Sequence, residues 1–199
     1  MAYRIAIVPG HGNRWRKRVG YVYDPGAVKD GVEEAVWVRR LADAVVEAAP
    51  VGLVKVFDEP NPGGPLSTYT NRVREAHRWL GNEPGIVLHV HCNAGGPRKP
   101  YSMAMHDPRS RGGAHAAGAL SCALGEMAPT LSSWAPCKVI PARRPDWSHA
   151  ANLVEKTWRA PAAVCAVLFE WGFVDVPGAG AHYDACLDET AHAIASLTR

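Results

Sequence analysis

Short apolar runs of strand length alternate with longer stretches of helical period along the chain, and that alternation leaves few folds open. Residues 5–8, 51–57, 86–91 and 163–169 read as buried strands. Between the first two, residues 32–49 place Val38, Leu41, Ala42 and Val45 on one helical stripe that Pro50 ends. Ser67 or Thr68 can cap a second helix running to about Leu80. Residues 101–106 suit a further strand, 114–127 an Ala/Leu/Gly helix, 138–140 a short strand and 183–197 a closing helix. The polar stretches 12–30, 58–65 and 93–100 read as loops. The expectation is one three-layer α/β/α domain over residues 1–199, with a mixed, mainly parallel sheet and no internal repeat or linker.

The 199 residues are 47% hydrophobic and 21% charged, which supports a full core and excludes a mostly disordered chain. No apolar run approaches the roughly 20 residues that span a bilayer as a helix. The net charge of +3 permits anionic partners but requires none. Five cysteines without a CxxC pair argue against a disulfide framework and against a Cys-rich zinc site. Met1-Ala2 runs straight into the first apolar run, with no basic-then-apolar leader, so synthesis in the cytoplasm without a signal peptide is expected.

Three of the apolar runs end on groups capable of chemistry: Pro9-Gly10-His11-Gly12, His89-Val90-His91-Cys92-Asn93 and Phe169-Glu170-Trp171-Gly172. In an open α/β sheet the ligand crevice lies beyond the carboxyl ends of the strands, so these ends would converge. Glu34 lies in the first turn of the first helix, where the dipole favours a carboxylate. Two histidines and a carboxylate, with a fourth position left to water, make a catalytic zinc site, and a further carboxylate nearby can move protons. A histidine after Pro-Gly is also an ordinary turn residue, and His89 or His91 can be a hydrogen-bonded core residue. Those two histidines share a strand face, while Cys92 points away. Glu170 follows a strongly apolar strand, where a carboxylate is costly unless paired or functional.

These motifs resemble, in order, those of zinc-dependent N-acetylmuramoyl-L-alanine amidases of the Amidase_3 type. The resemblance opens on Ile5-Ala6-Ile7-Val8-Pro9-Gly10-His11-Gly12 and Asp24-Pro25-Gly26-Ala27 and continues through Gly31-Val32-Glu33-Glu34 and Leu66…Arg72…Ala76. It then takes in His91-Cys92-Asn93-Ala94 and closes on Phe169-Glu170-Trp171-Gly172-Phe173. It implies Zn2+ held by the first histidine, a helix-start glutamate and a second histidine, with a catalytic glutamate at the last motif. Glu34 is chosen over Glu33 because it shares the stripe of Val38, Leu41 and Val45. His91 is chosen over His89 because Asn93-Ala94 follows it as in the family, which leaves His89 as a supporting partner.

The ligands expected are therefore His11, Glu34 and His91, with Glu170 as the catalytic base. The resemblance implies a peptidoglycan hydrolase cutting the amide between N-acetylmuramic acid and L-alanine. A phage or prophage endolysin fits such a chain: a monomeric catalytic domain without a separate cell-wall-binding domain, acting on the wall after release and binding no nucleic acid. One alternative is another zinc hydrolase on a related scaffold, such as a carboxypeptidase or an N-acyl-amino-acid hydrolase. The other is a non-enzymatic wall- or nucleic-acid-binding module using the basic loop at Arg14, Arg16, Lys17 and Arg18.

Overall fold

A computed structural model describes residues 2–16, 20–59, 64–95, 100–142 and 163–199. Its core is a six-stranded sheet in the order β6-β1-β7-β10-β8-β9. The strands are β6 (Val54–Val56), β1 (Arg4–Pro9), β7 (Gly85–Asn93), β10 (Val164–Phe173), β8 (Ser102–His106) and β9 (Cys137–Pro141). The first four are parallel; β8 runs antiparallel to β10, and β9 is parallel to β8. Helices α1 (Glu34–Ala48), α2 (Tyr69–Leu80), α3 (Arg111–Met127), α4 (Pro129–Trp134) and α5 (Ala179–Ser196) supply the outer layers. The expected mixed, mainly parallel α/β fold is therefore the observed one.

Strand alternation sorts the side chains into two cores. Ile5, Ile7, Ile86, Leu88 and Val90 meet the Val38, Leu41 and Val45 stripe of α1, together with α3 and α5. Ala6, Val8 and Val87 face Ala76 and Leu80 of α2. Thr68 caps α2 by accepting from Asn71 N at 3.2 Å, the role its position in the sequence suggests. The cysteines among these residues are free thiols. No described helix is long and apolar enough to cross a membrane.

Two expectations are corrected. Residues 12–30 are not loop throughout, because β2 (Gly12–Arg16) and β3 (Gly20–Asp24) form an antiparallel hairpin outside the main sheet. The two-residue strands β4 (Val28–Lys29) and β5 (Val32–Glu33) then lead into α1. A two-stranded ribbon standing clear of the core has no buried face to fill, so it leaves little apolar alternation to read. The last strand also continues past Phe169 to Phe173, which puts Glu170 inside β10 rather than in a following loop.

Candidate metal centre

β1 leaves the sheet through a turn that aims His11 back across the strand ends. Gly10 N donates to Val90 O at 2.8 Å, so the turn is still held against β7. A β-carbon on Gly10 would overlap the His91 ring, and only glycine allows that approach. His11 itself has φ of 56°, a left-handed conformation that costs an L-residue about 1–2 kcal/mol.

The buried Arg72 of α2 holds that strained turn from below. Its guanidinium donates to Pro9 O (3.2 Å), His11 O (3.2 Å) and Asn13 O (2.6 Å), and its Nε donates to Leu66 O (2.9 Å). Asp58 faces the same guanidinium at 3.2 Å and also pairs with Arg39 at 2.8 Å. Buried charge is costly unless paired and hydrogen-bonded, and here it is spent on the backbone around one histidine.

Asp24, at the end of the hairpin, receives the other side of His11. His11 Nδ1 lies 2.7 Å from Asp24 Oδ2, and Arg14 pairs with the same carboxylate. A carboxylate at Nδ1 favours the tautomer with its proton on that nitrogen, leaving Nε2 as the lone-pair donor. Burial opposes the imidazolium, but hydrogen bonds to Glu34 and Asp24 outweigh it and raise the His11 pKa above its ordinary value. Burial likewise opposes the Asp24 charge, and His11 with Arg14 more than offsets this, so the Asp24 carboxyl sits lower than usual.

Glu34 begins α1 and lies between the two histidines. Its Oε2 accepts from Ala27 N at 3.0 Å and is 3.2 Å from His11 Nε2. Its Oε1 accepts from Cys92 N at 3.0 Å and is 3.0 Å from His91 Nδ1. Gly26, at φ of 71°, passes so close that a β-carbon there would meet Glu34 Oε2 at 2.6 Å. Although burial disfavours its charge, the two histidines hold the Glu34 carboxyl well below the usual carboxylate range. Glu33 points elsewhere, its carboxylate accepting from the Tyr23 hydroxyl at 3.0 Å.

One potential donor atom from each of His11, Glu34 and His91 falls within 4.8 Å of the others. Two imidazoles and a carboxylate suit zinc or a similar divalent ion, with a coordination position to spare. Glu170 stands beside this group, paired across the sheet with His91 of β7. Its Oε2 is enclosed and accepts no hydrogen bond from the described residues. Burial pushes its pKa up to about 7, with Glu34 adding to the rise and His91 and His11 opposing it. A carboxylate poised there can take up and release a proton near neutral pH.

Of the residues singled out in the sequence, His11, Glu34, His91 and Glu170 come together, and His89 does not join them. It lies one pleat deeper, with Nδ1 2.5 Å from the Tyr69 hydroxyl and the two rings stacked at 5.5 Å. Cys92 faces the α1 core, as expected. Of the basic cluster, Arg14 is turned onto Asp24, while the Arg16 side chain, Lys17 and Arg18 lie outside the described residues. Asp24 and Arg72 were within the motifs quoted from the sequence, but nothing in their spacing revealed what they hold.

No family model matches the chain, and no curated protein is similar to it. Solved structures are similar. Amidase AmiC2 of Nostoc punctiforme, an N-acetylmuramoyl-L-alanine amidase, superposes with a TM-score of 0.67 at 14% identity, over 98% of this chain and 93% of that one. The catalytic domain of CwlV, an N-acetylmuramoyl-L-alanine amidase from Bacillus (Paenibacillus) polymyxa var. colistinus, gives 0.64 at 16%, over 98% and 95%. The catalytic domain of the CD27L endolysin targeting Clostridia Difficile gives 0.62 at 17%, over 98% and 95%. At such identities the likeness is one of architecture: from end to end, this chain has the α/β fold of these amidase domains.

Proposed function

We propose that the protein is a zinc-dependent peptidoglycan hydrolase that cuts the amide between N-acetylmuramic acid and L-alanine. The observation that carries this reading is the convergence of His11, Glu34 and His91 beside the enclosed carboxylate of Glu170. The shared architecture with muramoyl-alanine amidases supports the choice of substrate. His11, Glu34 and His91 would hold the metal, which when bound supplies a Lewis acid and brings a water pKa toward ~7. Asp24 keeps His11 in the donor tautomer, and Arg72 keeps its turn in place. Glu170 takes the proton from the attacking water and hands it to the leaving nitrogen, a role its raised pKa suits. The natural partner is then the cell wall, as the architecture shared with a solved endolysin domain supports.

Purified cell walls test the reading. The metal-loaded protein should clear their turbidity and expose new alanine amino termini. Glu170→Gln should keep its zinc and lose at least ~10²-fold in turnover, the lower end of what acid–base catalysis supplies. His11→Ala, Glu34→Ala and His91→Ala should lose metal and activity together, while Glu33→Ala behaves as the parent. Loss of zinc from Glu170→Gln would make Glu170 a ligand, and release of single C-terminal amino acids would make the protein a carboxypeptidase.

A further inference from the structure

The register of the sheet lines up more than the metal donors. Glu170 pairs with His91 on one side and with Met103 of β8 on the other, and Met103 in turn pairs with Lys138 of β9. Directly paired residues point to the same face, so His91, Glu170, Met103 and Lys138 form one row across four strands. The row has a direction: His91 stands at its β7 end, Glu170 next, and a lysine at its far end.

Lys138 does not simply trail into solvent. Its Nζ lies 3.6 Å from the centroid of the Tyr101 ring, and Tyr101 packs edge-on against Phe173 at 5.2 Å. Tyr101 is two residues before Met103, on the same strand face and nearer the rim where His11 and Glu34 lie. The ammonium is thus drawn back from β9 over β8, about one strand spacing of ~5 Å from the strand of Glu170. Among the described residues it makes no ion pair. A π face attracts the cation but occupies none of its three N–H donors.

We infer that Lys138, seated on Tyr101, is a subsite for a carboxylate on the second residue of the leaving peptide. This rests on the amidase reading above. Glu170 delivers its proton to the leaving nitrogen, so the amine half of the substrate lies on the Glu170 side of the metal donors and extends along the rim past Tyr101, because Met103 itself is buried. An extended peptide advances ~3.4 Å per residue. A gap of ~5 Å therefore passes the alanine and brings the next residue to the ammonium. A free carboxylate there meets an ammonium that pairs with no described carboxylate, and its amide loses that attraction.

The test compares two muropeptides that differ only at the second residue, one with a free α-carboxylate and one with the α-amide. The zinc-loaded parent should prefer the carboxylate form by about tenfold in kcat/KM, mainly through KM, the size expected of one charge-assisted hydrogen bond. Lys138→Gln should bring that ratio to near one, and Lys138→Glu should reverse it. Lys55→Gln is the control, because Lys55 is another exposed lysine over an aromatic ring, Phe57, but on the opposite edge strand. It should keep the parent ratio. A parent that cleaves both muropeptides equally, or a Lys138→Gln variant that keeps the preference, overturns the subsite and leaves the amidase reading standing. A parent that cleaves neither overturns the amidase reading, and the subsite with it.

Discussion

Glu170 carries the sharpest residue-level consequence, because its folded and unfolded pKa values differ. It titrates near 4.5 when unperturbed and at about 7 in the fold, so the native state binds its proton more tightly. Its burial costs nothing below pH ~4.5, costs progressively more up to pH ~7, and reaches its full value above that. At 1.36 kcal/mol per unit the full cost is about 3–4 kcal/mol. Metal-free Glu170→Gln should therefore unfold in urea with higher stability than the metal-free parent at pH 8 and with equal stability near pH 4.5. A gap independent of pH would trace instead to shape or hydrogen bonding. Asp24 calls for a different measurement: Asp24→Asn should weaken zinc binding 10–100-fold, the usual effect of removing a carboxylate behind a histidine ligand. Unchanged affinity would leave Asp24 as an anchor for Arg14 and the Gly26 backbone. His11, Glu34, His91 and Glu170 were legible because each ends or begins an element that the apolar pattern announces. Asp24 and Arg72 were not, since their partners lie 13 and about 60 residues away and such pairings leave no periodic trace.

At the scale of elements, apolar period located the sheet and helices but passed over the β2–β3 hairpin and the full length of β10. Both failures have one physical origin, since pattern reports burial against a core. The hairpin stands outside the core, with Tyr21 and Tyr23 exposed. β10 carries a carboxylate and then bulges between Glu170 and Phe173, which breaks the apolar run before the strand ends. The clamp from α2 to the first turn is the element-level feature most open to test. Arg72→Met keeps the aliphatic stem but removes every donor to Pro9, His11 and Asn13. It should destabilise the fold by roughly 3–5 kcal/mol, as expected on breaking a buried charged network. It should also weaken zinc binding, because His11 no longer has support for its positive φ. Destabilisation with unaltered metal affinity would show that the turn holds its shape without the clamp.

For the molecule as a whole, the three candidate donors come from the end of β1, the start of α1 and the end of β7, so an ion held by them would tie two layers together. Zinc at 1,000 times its dissociation constant should add about 4 kcal/mol of stability, lost with chelator and absent in His91→Ala. A melting temperature indifferent to zinc would argue against a preformed site. The strand order has a separate consequence, in time rather than space. β10 is the last strand to be made, yet it lies in the middle of the sheet, between β7 and β8. Until it inserts, the β6-β1-β7 half and the β8-β9 pair share no hydrogen bond. His11, Glu34 and His91 all belong to the earlier half, whereas Glu170 rides in on the strand that joins the two. On the function proposed above, a nascent chain could thus gather its candidate donors while it still lacks Glu170, and hydrolytic competence would arrive together with closure of the sheet. A partly folded molecule would be a metal binder without being a lytic enzyme.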